Sequence, residues 1–200
     1  MNYGSIRTHF KALLNRSDIT NALADTFIDQ GIARIQRSLR IPSMETQNTY
    51  SFSAQTTKVT LPANFLEAID VYYSNRALTR LPMSDMQEHL KGAETGNPYY
   101  FAREGSSLLL HPQPSSGSLV LNYYASFTEM ATDSDESLLA QIAPDLIIYG
   151  ALTYASDYYL DERSDVFDNK YMTFMSEIQE QANDQELTGS IQSIRPSYRL

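Results

Sequence analysis

The sequence predicts an α+β fold in which helices from both ends of the chain form a bundle around an inserted antiparallel β segment. Apolar residues recur every three to four positions up to residue 45 and again after residue 129, as in helices that bury one face. Between residues 46 and 128, apolar and polar side chains alternate in short stretches separated by turn-forming residues, which favours strands. Helical flanks around a β block are typical of the α+β class.

Four segments follow from this pattern. They are N-terminal helices of the bundle, a β insertion domain, C-terminal helices of the bundle and an extended C-terminal tail, with bounds at 1–45, 46–128, 129–187 and 188–200.

Two helices are predicted in the first segment. Residues 6–14 carry one apolar stripe, and a longer amphipathic helix of about six turns covers residues 19–39. Ser17 or Asp18 is placed to cap the second helix, and Pro42 ends it because the residue before a proline is pushed out of the helical conformation.

Gly31 lies inside the second predicted helix. Glycine there costs roughly 1 kcal/mol of helix propensity relative to alanine. We therefore expect either a close approach by a neighbour or a kink at this position.

The β insertion is predicted to contain local strand pairings. Residues 50–52 and 59–61 are expected to form a hairpin, residues 68–73 another strand that turns at Ser74, and residues 85–90 a short helix capped by Ser84. A three-strand antiparallel meander is predicted from strands at residues 99–103, 107–111 and 119–124.

The third segment returns to helical spacing. Residues 137–142 form a short helical stretch, and Pro144 suits the first position of the next helix, with Asp145 in its first turn. Residues 146–160 are apolar nearly all round, which predicts a buried central helix, and residues 167–182 form a second long amphipathic helix.

Composition and charge exclude several function classes. The 200-residue chain has no cysteine, so disulfides, thiolate metal sites and cysteine nucleophiles are absent. Its net charge is −9, with fourteen acidic and two basic side chains between residues 129 and 188. Non-specific binding to nucleic acid or to an anionic membrane is therefore not expected. No secretory signal or membrane span is recognised, which predicts a protein that stays in the cytoplasm where it is made.

Sequence signatures of catalysis are missing. The chain has no dinucleotide-binding glycine pattern, no phosphate-binding loop, no nucleophile elbow and no HExxH zinc motif. No pair among His9, His89 and His111 has a spacing that a single helix or hairpin would bring together. We predict no catalytic residue, no metal site and no cofactor, and thus no enzyme.

An acidic cluster leaves one enzymatic alternative open. A solvated acidic face is the preferred interpretation, and a metal-dependent hydrolase the weaker one. The cluster consists of Asp157, Asp161, Glu162, Asp165 and Asp168.

Three tyrosine pairs fall on predicted strands. Neighbours on a strand point to opposite faces, so each pair places one ring on each side of a sheet. Such amphipathic rings suit a surface half buried by a partner, although tyrosines at the rim of a small sheet would look the same. The subunit-interface candidates are Tyr72, Tyr73, Tyr99, Tyr100, Tyr123 and Tyr124.

The last residues combine apolar and basic side chains. They could form a strap across their own subunit or a disordered end. We favour an arm that docks on another chain by adding a strand or filling a groove. The docking candidates are Ile191, Ile194, Arg195, Tyr198, Arg199 and Leu200.

Several short motifs together resemble the head-to-tail adaptor proteins, or head-tail connectors, of tailed bacteriophages. Their order and spacing match that family from the first long helix to about Ala182. They are LPANFLEAIDVYY at 61–73, LPMS at 81–84, NPYY at 97–100, LLLHPQP at 108–114, LNYY at 121–124, APDL at 143–146 and YGA at 149–151.

The resemblance implies a structural virion protein whose helical bundle carries a β insertion. It implies a ring of about twelve copies under the portal vertex, built from head-to-tail contacts between copies. Such a ring joins the portal to the tail or nozzle protein and continues the channel through which genome DNA passes without specific binding. In such proteins the C-terminal tail often reaches the portal, and assembly takes place in the host cytoplasm.

A second interpretation keeps the same fold but a different role. The chain would be a cytoplasmic phage assembly factor or binding module that the virion does not retain.

Overall fold

The computed structural model describes residues 1–92 and 94–187 of the chain. It confirms the α+β class. The chain divides into two compact units: Ser43–Ser126 forms one, and Met1–Pro42 forms the other together with the described part of Phe127–Leu200.

The helices, in chain order, are α1 (Tyr3–Leu14), α2 (Asn21–Ser38), α3 (Met83–Leu90), α4 (Leu138–Ile142), α5 (Pro144–Tyr159) and α6 (Ser164–Leu187), with a 3₁₀ turn at Pro42–Met44. All except α3 belong to the helical unit. None of the helices in the described ranges is long and apolar enough to cross a membrane.

The helical unit is built around α5, as the sequence predicts. Leu146, Ile147 and Leu152 on this helix are fully buried. Pro144 occupies its first turn, where a missing N–H costs nothing, and Asp145 lies beside it. Helices α1, α2 and α6 each contact α5 and so complete its burial.

Helices α2 and α5 cross at a pair of glycines. A methyl group on Gly31 would lie 2.7 Å from the backbone nitrogen of Ala151 and 2.9 Å from the carbonyl carbon of Gly150. Of the two expectations for Gly31, the close approach of a neighbour is therefore confirmed. The absent side chain lets the two backbones pack directly.

The cap of α2 is a correction to the sequence analysis. The helix has 18 residues, shorter than predicted, and its N-cap is Thr20, whose side chain accepts a hydrogen bond from the backbone N–H of Leu23 at 3.2 Å. Ser17 and Asp18 precede the cap, and Asp18 pairs with Arg16 instead. The predicted cap was wrong because the helix starts two residues later than the apolar pattern does.

Replacing Thr20 with alanine should lower the stability of the helical unit by about 1 kcal/mol, since one N–H of the first turn of α2 loses its acceptor. Chemical denaturation followed by circular dichroism measures this. The matched variant Ser17→Ala should leave stability unchanged, and equal losses in both variants would contradict the assignment of the cap.

The second unit contains eight strands in two sheets. They are β1 (Glu45–Phe52), β2 (Lys58–Thr60), β3 (Phe65–Tyr73), β4 (Arg76–Ala77), β5 (Thr79–Arg80), β6 (Tyr100–Glu104), β7 (Ser107–His111) and β8 (Gly117–Ala125). The first sheet has the order β1-β8-β3-β4, and the second has the order β2-β7-β6-β5. All pairs are antiparallel except β5 with β6, which is parallel.

The predicted hairpin between residues 50–52 and 59–61 was wrong. Strand β1 pairs with β8 over eight residues, from Glu45 opposite Tyr124 to Phe52 opposite Gly117, whereas β2 pairs with β7 in the other sheet. A long continuous ladder satisfies more backbone groups than a short local hairpin. The connection between β1 and β2 also lacks the two-residue turn that would fix a hairpin.

The predicted three-strand meander is only partly correct. Strands β6 and β7 pair as expected, but β8 leaves that sheet and becomes the central partner of β1 and β3. The segment between β7 and β8 contains Pro112 and Pro114, which donate no backbone hydrogen bond. The chain passes from one sheet to the other there.

The two sheets enclose one apolar core. Val71, Leu108, Leu110, Leu119 and Leu121 are all at most 2% exposed within it. Interleaved side chains from two sheets give this unit its stability, as in a β-sandwich.

Helix α3 covers the opposite face of the second sheet. Its Met86 packs with Ala102 and Leu109, all three at most 1% exposed. Its N-cap is Pro82 and has no side-chain cap, so the predicted cap at Ser84 was wrong. Ser84 lies inside the helix and bonds to Asp85.

Candidate functional site

The six tyrosine candidates do not form one site. Tyr73 and Tyr123 are each 4% exposed in the core between the sheets. The Tyr73 hydroxyl donates to the carbonyl of Ser116, and that of Tyr123 donates to Asn64 Oδ1 at 3.0 Å. These two rings are therefore part of the fold's own core.

Tyr72 and Tyr124 lie on the other face of the first sheet. They are half buried, and the strand register places Tyr72 opposite Val120 and Tyr124 opposite Glu45. Polar side chains also lie on this face, where Gln47 donates to Asn122 across β1 and β8 at 3.1 Å. Two amphipathic rings in a polar sheet face are suited to contact with a partner protein.

Tyr99 and Tyr100 lie at the start of β6. Tyr99 precedes the strand rather than belonging to it, is 42% exposed, and has the Arg76 guanidinium 4.2 Å from its ring centroid. Tyr100 is half buried and stacks on His89, with ring centroids 5.1 Å apart. Tyr99 therefore presents a cation and an aromatic ring together at the surface.

Two of the three histidines meet, although neither a single helix nor a hairpin joins them. Helix α3 brings the His89 ring to 5.3 Å from that of His111 at the end of β7. His111 is 4% exposed, and its Nδ1 has no hydrogen-bond partner among the described residues. Burial lowers the pKa of His111 and the neighbouring His89 lowers it further, against the carboxylate of Glu94, which raises it. The site therefore favours the neutral form of His111.

The turn between α5 and α6 carries an exposed apolar surface that sequence reasoning missed. Leu160 is 88% exposed and adopts a left-handed backbone conformation with φ of 53°. With Leu160 we group Tyr158, Val166 and Leu13 at the end of α1, which are 62%, 53% and 42% exposed, as the corner patch. A hydrogen bond from Arg163 to the Leu13 carbonyl places the end of α1 beside this turn, and exposed apolar side chains of this kind are typical of a protein contact surface.

Arg163 fixes the geometry of the corner patch. Its guanidinium donates to the carbonyl oxygens of Leu13 at 3.2 Å and Leu14 at 2.9 Å, the unsatisfied end of α1. It also pairs with Asp161, at 2.7 Å. The turn is thus tied to α1, and Leu160 is held outward.

Hydrogen bonds from Arg163 lower the pKa of Asp161 to about 2. A carboxyl whose pKa is lower in the folded chain contributes stability above its unfolded pKa and loses it as the pH falls. Asp161→Asn should therefore cost about 1 kcal/mol or less at pH 7, because ion pairs near the surface are screened. This difference should shrink as the pH is lowered from about 5 to 2.

Thermal unfolding of both proteins across that pH range measures the effect. The neighbouring exposed Glu162, replaced by glutamine, is the control and should change little. A constant difference between wild type and Asp161→Asn across the range would contradict the role of Arg163.

The acidic cluster is divided among separate partners. Asp161 pairs with Arg163, and Asp168 pairs with Arg34 at 3.0 Å. Among the residues that the structure describes, no three carboxylates or imidazoles are close enough to hold a metal ion. The cluster thus offers no assembled metal site in this part of the chain.

A groove runs beside α2, between that helix and the segment before α4. It encloses about 460 Å³ and is lined chiefly by Asp29, Ile32, Ala33, Gln36, Glu129 and Met130. We call it the α2 groove. Burial raises the pKa of Asp29, and the nearby carboxylates of Asp25 and Glu129 raise it further, against a hydrogen bond from Tyr3 that lowers it. The groove is therefore lined by apolar side chains together with two carboxylates.

The predicted docking tail, Ile191 to Leu200, lies outside the described residues.

The helical unit exposes the apolar side chains of Leu160, Tyr158 and Val166, and exposed apolar side chains are a feature of protein contact surfaces. The comparison with family models places the chain among structural adaptor proteins. Residues 1–195 match the model of the SU10 adaptor protein family, and the chain belongs to this family of phage head-tail adaptors. No curated protein gives a significant match.

Proposed function

We propose that this chain is a structural head-to-tail adaptor of a tailed phage virion. In this proposal about twelve copies form a ring that joins the portal to the tail or nozzle protein and continues the DNA channel. The observation that carries the proposal is the family match over residues 1–195. A non-enzymatic role agrees with that family.

The contacts between copies are proposed to use two different surfaces of each copy, because a closed ring is heterologous. The corner patch supplies one apolar surface, with Leu160 as its most exposed side chain. The outer face of the first sheet, with Tyr72 and Tyr124, supplies another, and Tyr99 extends the candidate surface of that unit. Buried Tyr73 and Tyr123 would act only by supporting this sheet.

The segments have separate proposed roles. The helices of residues 1–45 and 129–187 form the ring body, and the β insertion of residues 46–128 adds contacts. Residues 188–200 form the arm that docks on the portal, through the apolar and basic side chains predicted above. Exposed acids on α6, such as Glu177 and Glu180, would not bind the phosphates of passing DNA.

Copy number in purified virions tests this proposal. Quantitative mass spectrometry should find the chain and the portal protein at about equal copy number, because both form rings around one channel. Presence in lysates together with absence from purified virions would contradict the adaptor role and favour an assembly factor.

A further inference from the structure

We propose that residues 188–200 fold back onto their own chain in the free protein and occupy the α2 groove. Arg195 and Arg199 face Asp29 and Glu129, while the apolar side chains of the segment cover Ile32 and Met130. The arm would then be held by its own subunit until a partner displaces it.

The groove is suited to a segment that is both basic and apolar. Ile32 and Met130 line it together with two acids, Asp29 and Glu129, which lie close enough that the Glu129 carboxylate raises the pKa of Asp29. No lysine or arginine is among the described residues that line it. A cation placed there would pair with both carboxylates, and because Asp29 and Glu129 are exposed that attraction should weaken as salt is added.

The last residues supply that chemistry. Between residue 171 and the C-terminus the only basic side chains are Arg195 and Arg199, and no acid follows residue 186. Apolar residues flank both arginines, namely Ile191, Ile194, Tyr198 and Leu200. Charge and hydrophobicity therefore both match the groove.

The segment is also long enough. Gln179 on α6 donates to the carbonyl of Arg40 at 3.0 Å, so α6 passes the end of α2. At 1.5 Å per helical residue, Leu187 is about 12 Å beyond that contact and Asp29 about 16 Å back along α2. Twelve extended residues carry Arg199 up to about 40 Å from Leu187, which exceeds the roughly 28 Å required. Eight carry the Cα of Arg195 up to about 26 Å, and its long side chain covers the remainder.

Disulfide trapping in the full chain tests this contact. Because the chain has no native cysteine, only the two introduced thiols can form a disulfide. The test variant is Ala33→Cys with Ser197→Cys, which joins the groove to the segment: Ser197 is ten residues past Leu187 and can extend up to about 33 Å, against roughly 22 Å to Ala33. The control is Ser176→Cys with Ser197→Cys. Ser176 is exposed on α6, about 16 Å from Leu187, and does not line the groove. An unbound segment would meet the thiol introduced on α6 at least as often as the thiol introduced in the groove.

We expect an intramolecular disulfide in the test variant to form about tenfold faster than in the control, because binding raises the effective concentration. Adding Arg195→Glu and Arg199→Glu to the test variant should slow it to the control rate. Equal rates in test and control would overturn the proposal. A disulfide-linked dimer would also overturn it, since the groove would then take the arm of a second copy.

The consequence for assembly, an arm released only on docking, rests on the proposed adaptor function. The trapping experiment contains no portal. Equal trapping rates would contradict the groove contact without bearing on the adaptor role. Absence of the chain from virions would contradict the adaptor role without bearing on the groove contact.

Discussion

Replacing Phe10 with alanine should lower the free energy of unfolding of the helical unit by about 4 kcal/mol, within the range found for buried phenylalanines. Phe10 is fully buried, and its ring centroid is 6.3 Å from that of Phe27 on α2. Truncation removes this contact and leaves a cavity that the surrounding helices fill only in part. Urea denaturation followed by the helical circular dichroism signal measures the loss.

Leu13 provides the matched control, because it lies three residues further along α1 and is 42% exposed. Leu13→Ala should change stability by less than about 1 kcal/mol. Similar losses in the two variants would show that α1 does not bury the face that the structure assigns to it.

Gly31→Ala should destabilise the helical unit by about 2 kcal/mol, although alanine is the better helix former. The new methyl group would meet backbone atoms of Gly150 and Ala151 rather than a side chain that could move aside. Helix α5 must then shift away from α2, and the packing of the bundle loosens. Thermal unfolding should show a lower midpoint for this variant.

Gly150→Ala is the control on the facing helix. A methyl group there would lie 3.4 Å from the Gly31 Cα and from the ring of Tyr171, which is close to ordinary contact. The gain in helix propensity should offset the crowding, so stability should change by less than about 1 kcal/mol. A stabilised Gly31→Ala variant would contradict the close crossing of α2 and α5.

The helices were predictable because their signal is local. The stripe through Ile6, Phe10 and Leu14 and the apolar run after Pro144 each specify which face is buried. Even Gly31 indicated a packing constraint, because glycine inside a helix is costly without one. Helix caps were less predictable, since several adjacent polar residues can serve and only the backbone path selects Thr20.

Strand pairing could not be read from the same pattern. Alternation of apolar and polar residues identifies a strand but not the strand with which it pairs. Strand β1 pairs with β8, some seventy residues further along the chain. The choice depends on which ladder satisfies more backbone groups and closes the shared core. The turn-forming residues therefore suggested a hairpin and a three-strand meander. In the structure, the strands concerned are divided between two sheets.

The sequence predicted one of the candidate surfaces, the tyrosines of the first sheet, but not the corner patch or the α2 groove. Paired tyrosines correctly indicated rings on both faces of the first sheet, with Tyr72 outside and Tyr73 inside. The corner patch was missed because the sequence pattern places Leu160 at the end of a buried helix, whereas the structure ends the helix at Tyr159 and leaves Leu160 in a left-handed conformation, 88% exposed. The α2 groove was missed because it combines Asp29 with Glu129, one hundred residues apart, and no sequence signal links them.

Native mass spectrometry of the full chain, alone and mixed with the portal ring encoded in the same genome, tests the adaptor role most directly. We expect the chain alone to be a monomer and about twelve copies to bind the portal ring. A chain that lacks residues 188–200 should not bind the portal. A well-folded full chain that does not bind the portal would contradict the adaptor role.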